Sequence, residues 1–144
     1  RARQRIIELV RKDLSNDLTG KKIAVLGAAF KPDSDDVRDS PALDISAQIQ
    51  AAGAVVTVHD PKAIANAQKR FPGLNYAQEI NETLKDAELV LHLTEWKIYR
   101  EINPAQIKSL VKSAIIIDGR NALDREAWRA AGWKFRALGR TNHE

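Results

Sequence analysis

The chain has 144 residues, 44% of them hydrophobic, enough for one buried core and too few for two ordinary domains. It contains no cysteine, which excludes disulfides, thiolate metal sites and a cysteine nucleophile within this chain. Lys and Arg outnumber Asp and Glu by 23 to 19, yet beyond Arg1, Arg3, Arg5, Arg11 and Lys12 the cations are scattered among acids without interleaved aromatics, so a nucleic-acid partner is not expected.

Ile6, Ile7, Leu9, Val10 and Leu14 recur at helical spacing and predict an amphipathic helix over residues 2–18, ending before Gly20. A pattern that opens within a helix suggests an excised piece of a longer protein. Lys22 to Gly27 then reads as a strand buried on both faces. Residues 28–41 lack either periodicity and are dense in Pro, Asp and Ser, which predicts a long loop. Ser40-Pro41 starts a helix that runs to Gly53, because the serine hydroxyl caps free amides and proline tolerates the first helical position. A strand follows over Val55 to His59, and Asp60-Pro61 repeats the cap-plus-proline device for a helix to about Arg70. After the Pro72-Gly73 turn, a short helix near Asn81 to Lys85 precedes a strand over Glu88 to Leu93. Asn103-Pro104 starts a helix to Lys112, Ala114 to Asp118 is the most apolar strand, Asp124 caps a helix to Ala131, and Lys134 to Leu138 forms a last strand at an edge.

Strands alternating with helices predict an α/β, Rossmann-like three-layer domain with a mostly parallel sheet of about five or six strands. One such domain is expected over residues 20–144, with residues 1–19 as a lead-in. In open parallel sheets, ligands bind beyond the carboxyl ends of the strands. That rule selects Ala29-Phe30-Lys31-Pro32 after the first strand, Thr94-Glu95-Trp96 after the third, and Asp118-Gly119-Arg120-Asn121 after the fourth. The turn Gly27-Ala28-Ala29-Phe30 lacks G-x-G-x-x-G spacing and is a poor dinucleotide site. Lys31 and Arg120 instead supply a point charge and a planar fork suited to a diphosphate. Each alone would read as a surface ion pair with Asp33, Asp35 or Asp118; their convergence favours binding. Phe30 is assigned as a ligand contact, whereas Trp96, Trp128 and Trp133 are assigned to packing. His59, His92 and His143 share no ligand spacing, His92 reads as a satisfied core histidine, and no metal site is expected. The acidic loop of Asp33, Asp35, Asp36 and Asp39 lacks the glycine and terminal glutamate of a calcium loop and reads as solvated.

The stretch from Gly20 to Leu43, with Leu93-Thr-Glu-Trp96 and Ile117-Asp-Gly-Arg-Asn121, resembles the carboxy-terminal domain of the UDP-glucose/GDP-mannose dehydrogenase family, over nearly all of Gly20 to Gly139. The Leu-Thr-Glu-Trp form looks most like the bacterial UDP-glucose 6-dehydrogenase branch. The resemblance implies a UDP-sugar-binding domain of an NAD-dependent enzyme that oxidises a sugar alcohol to a carboxylate in two steps, through a thioester on a cysteine upstream of this chain. It implies that Phe30, Lys31 and Arg120 contact the UDP-sugar and that Arg38 approaches NAD held on the amino-terminal domain of the same chain; no catalytic residue is assigned here. It also implies that residues 1–19 end a connecting helix on which the full-length protein forms a homodimer, and that this piece alone is inactive; a cytoplasmic location is expected, and, with no apolar run near the roughly 20 residues that cross a bilayer, no membrane partner. Two alternatives stand beside it: a non-catalytic nucleotide-binding or assembly module, and the same domain of a UDP-N-acetylmannosamine or GDP-mannose dehydrogenase.

Overall fold

The computed structural model describes residues 2–138; His143 and the expected end of the domain at residue 144 lie outside the described residues. Six strands form one sheet in the order β3-β2-β1-β4-β5-β6. They are β1 (Lys22–Leu26), β2 (Val55–His59), β3 (Asn75–Tyr76), β4 (Leu89–His92), β5 (Ile115–Asp118) and β6 (Lys134–Ala137). Every pairing is parallel; Val25 faces Val58 on one side and Leu91 on the other, and Leu91 faces Ile117. All four β4 side chains are buried. Because successive side chains point to opposite faces, that burial requires cover on both sides of the sheet, as in a Rossmann-like α/β fold.

The cover comes from helices α1 (Ala2–Asp13), α2 (Pro41–Ala51), α3 (Ile64–Arg70), α4 (Ile80–Leu84), α5 (Lys97–Arg100), α6 (Pro104–Ile107) and α7 (Arg125–Ala130). Ser40 caps α2 as its sequence predicts, with Oγ accepting from the Leu43 amide at 3.3 Å and Pro41 in the first turn. Asp124 caps α7 in the same way, accepting from the Ala127 amide at 3.2 Å.

Some boundaries differ from expectation. Helix α1 stops at Asp13, not residue 18, because Ser15 and Asn16 take left-handed backbone conformations with φ of 56° and 63°. Below that stop, Asp13 has a fully buried carboxylate that pairs with Lys134 Nζ at 3.0 Å and Arg136 Nε at 2.9 Å on β6. Ile6, Leu9, Val10, Leu14 and Leu18 are buried in the same hydrophobic core as the strands. The segment after Asp60-Pro61 forms a turn first, and α3 begins only at Ile64. The helix expected to reach Lys112 ends at Ile107 and tightens into a 3₁₀ turn over Lys108–Leu110.

Candidate functional site

The strand order reverses between β1 and β4, the position at whose carboxyl edge open parallel sheets take their ligands. Gly27 ends β1 with φ of 113°, and a Cβ there would lie 2.5 Å from Thr94 atoms. Only glycine permits so close an approach of the two loops.

Three buried side chains fix the loop that follows. Asp60 Oδ2 accepts from the amides of Ala28 at 2.8 Å and Ala29 at 2.9 Å, and from Trp96 Nε1 at 3.1 Å. Ser40 Oγ donates to Ala28 O at 2.7 Å, and Thr94 Oγ1 to Ala29 O at 2.8 Å. The amides that a dinucleotide-binding turn would offer to a pyrophosphate are therefore occupied by an internal carboxylate, and NAD does not fit this turn.

The fixed backbone presents two exposed residues. Phe30 is 51% exposed and so does not plug the core, and its amide donates to Asp36 O at 2.8 Å to close the loop. Lys31 is exposed beside it. Asp36 is held down to about 2 chiefly by side-chain and backbone hydrogen bonds from Arg38, with the Lys31 charge a smaller influence.

Arg120 stands on the loop after β5, organised by Asp118. That buried carboxylate accepts from the amides of Arg120 at 2.9 Å, Ala122 at 2.9 Å and Leu123 at 2.8 Å, and from His92 Nδ1 at 2.8 Å. Burial pushes the Asp118 carboxyl up, but the hydrogen bonds from His92, Leu123 and Arg120 outweigh it and hold it below the ordinary carboxylate value. His92 is only half satisfied, contrary to expectation. Its Nε2 is buried without a hydrogen-bond partner among the described residues, where the ring meets Tyr99 edge to face at 5.7 Å.

The structure thus brings Phe30, Lys31 and Arg120 to one edge of the sheet, on loops flanking Thr94-Glu95. Arg120 pairs with Glu95, a partner that sequence reading missed, with Nε to Oε1 at 2.9 Å and Nη2 to Oε2 at 3.3 Å. Beside it a cleft of about 290 Å³ opens between α1 and α2, lined by Ile6, Ile45, Leu93 and Gly119 among others. A Cβ on Gly119 would come within 3.0 Å of Ile6 and Leu93 side-chain carbons, so glycine keeps its floor clear. Arg38 lies apart from that cleft. It forks onto Asp36 at 3.0 and 2.9 Å, 80% exposed, along a shallow groove shared with Asn66, Lys69 and Arg70. Among the described residues, no helix is long and apolar enough to cross a membrane.

Residues 24–125 match the UDP binding domain of the UDP-glucose/GDP-mannose dehydrogenase family. A UDP-glucose 6-dehydrogenase of Rhizobium meliloti (strain 1021) is 38% identical over 124 residues, covering 86% of this chain and 28% of the relative. The UDP-glucose 6-dehydrogenase TuaD of Bacillus subtilis (strain 168) is 39% identical over 122 residues, covering 84% and 26%. A solved UDP-glucose dehydrogenase from the archaeon Pyrobaculum islandicum superposes with a TM-score of 0.79 at 27% identity, over 94% of this chain and 29% of that one. The chain spans less than a third of the length of these relatives. With a strand order that reverses between β1 and β4, and with residues of all three motifs lining the cleft beside Arg120, the chain belongs to the UDP-glucose/GDP-mannose dehydrogenase family and carries its UDP binding domain.

Proposed function

We infer that this chain is the UDP-sugar-binding, carboxy-terminal domain of a UDP-glucose 6-dehydrogenase, an NAD-dependent enzyme converting UDP-glucose to UDP-glucuronate. One observation carries the reading: Phe30 and Lys31 stand exposed on a loop whose backbone is fixed by Asp60, Ser40 and Thr94, one loop away from Arg120. A rigid loop presenting an aromatic and an ammonium beside a guanidinium suits a ligand with a flat base and a diphosphate. Phe30, Lys31 and Arg120 bind the UDP-sugar, and Arg38, on the outer part of the same loop, faces NAD held by the amino-terminal domain.

NAD supplies hydride acceptance when bound. This chain contributes binding and orientation, since it has no cysteine to carry a thioester. Residues 1–19 end the connecting helix on which the full-length protein dimerises, residues 20–144 form the binding domain, and the enzyme works in the cytoplasm.

Titration calorimetry of the chain with UDP-glucose, UDP and GDP-mannose tests the reading. Uridine ligands bind, Lys31→Ala weakens UDP about tenfold through loss of a charge-assisted contact, and UDP-glucose with NAD yields no NADH. Preference for GDP-mannose would move the chain to another branch of the family. Binding untouched by Lys31→Ala would remove Lys31 from the site.

A further inference from the structure

The loop after β4 clasps both loops that carry the cations assigned to the diphosphate. Thr94 Oγ1 donates to Ala29 O at 2.8 Å, two residues before Lys31. One residue on, Glu95 forks onto the guanidinium of Arg120 at 2.9 and 3.3 Å. We propose that Thr94-Glu95 sets the spacing between Lys31 and Arg120, and that Glu95 is a positioning residue that orients Arg120 toward the second phosphate of a nucleoside diphosphate. This rests on the reading of Lys31 and Arg120 as the diphosphate cations.

A guanidinium offers two edges for bidentate bonding. Glu95 takes the edge formed by Nε and Nη2. Nη1 and the second Nη2 hydrogen form another fork, which has no partner among the described residues. The Arg120 amide is anchored separately, on Asp118 Oδ1 at 2.9 Å. An arginine held at both ends gives up less conformational freedom when an anion arrives than one that is free in solvent.

Glu95 also brings a negative charge to a site meant for phosphate. Two facts limit that cost. The Glu95 and Arg120 side chains are 29% and 38% exposed, so water screens repulsion through space, whereas the orientation of the fork is not screened. The charge of Arg120 also offsets that of its partner. Burial raises the Glu95 carboxyl, but hydrogen bonding and charge from Arg120 outweigh it and keep it below the ordinary value, so the grip persists at neutral pH.

The test is calorimetric titration of the 144-residue chain with UDP and with UMP, which lacks the second phosphate. Wild type, Glu95→Ala, Arg120→Ala and the double variant are compared, with urea unfolding curves to verify that each is folded. Wild type binds UDP better than UMP; Glu95→Ala loses about five- to tenfold for UDP and under about twofold for UMP. Arg120→Ala loses at least as much, and the double variant binds UDP no more weakly than Arg120→Ala, because Glu95 acts through Arg120. Glu95→Gln, keeping one acceptor, recovers part of the loss. Tighter UDP binding by Glu95→Ala, equal losses for UDP and UMP, or an effect of Glu95→Ala that persists without Arg120 each overturns the proposal and leaves the diphosphate reading intact. Wild type binding UDP no better than UMP, or not at all, overturns the diphosphate reading and the positioning role with it.

Discussion

At the scale of single residues, the chemistry beneath the cleft is decided by burial. His59 ends β2 at 3% exposure, with Nδ1 2.7 Å from the Tyr99 hydroxyl. Burial holds its pKa below the ordinary imidazole value, against opposing pulls from Asp60 and Glu79. The unfolded chain therefore takes up a proton, below about pH 6.5, before the folded one does, and stability falls as pH falls through that window. The lowered Asp118 and Glu95 carboxyls act in a separate window, below the ordinary carboxylate range. Urea unfolding of wild type should thus show free energy declining from pH 7 toward pH 5, and His59→Gln should flatten that limb. An unchanged slope in the variant would show that His59 does not titrate there. That Phe30, Lys31 and Arg120 stand at the carboxyl edge of the sheet was legible in the sequence, because position after a strand places a residue there. The grip of Glu95 on Arg120 was not, since it joins residues 25 apart and no local periodicity encodes that.

Single residues also decide how elements meet. Asp60 follows β2, and its carboxylate accepts from five donors: the amides of Ala28, Ala29, Lys62 and Ala63, and Trp96 Nε1. It binds the β1 loop to the start of α5 and to the turn before α3. Sequence reading saw only a helix cap in Asp60-Pro61, because a local rule names local partners; the longest of these bonds, to Trp96, spans 36 residues. Asp60→Ala should cost about 4 kcal/mol or more, since several buried donors lose their acceptor together. Asp60→Asn keeps the shape but turns an amide NH₂ toward N–H groups, and should cost about 2–3 kcal/mol. Chemical denaturation measures both, and a loss under about 1 kcal/mol for Asp60→Ala would mean that water replaces the carboxylate. Among the elements, the long apolar strands were readable. Helix α5 of four residues and β3 of two were not, because neither is long enough to show a period.

Over the whole molecule, alternation of strand and helix was enough to predict a parallel sheet, since parallel neighbours need a crossover. The order β3-β2-β1-β4-β5-β6 was not readable, because it depends on which apolar faces meet across long separations. The buried Asp13 carboxylate, clasped by Lys134 and Arg136, joins the first helix to the last strand across 123 residues. A contact that closes so long a loop carries a large entropy cost before it gives any return, so it is expected to form after the main folding barrier has been crossed. Asp13→Ala should therefore leave the folding rate nearly unchanged and speed unfolding by about a hundredfold, the equivalent of about 3 kcal/mol. Stopped-flow folding and unfolding in urea separate the two limbs, and a slowed folding limb would place the clasp in the nucleus. The ion pair thus serves the native protein as a latch on its lifetime, setting how seldom the first helix and the edge strand part company.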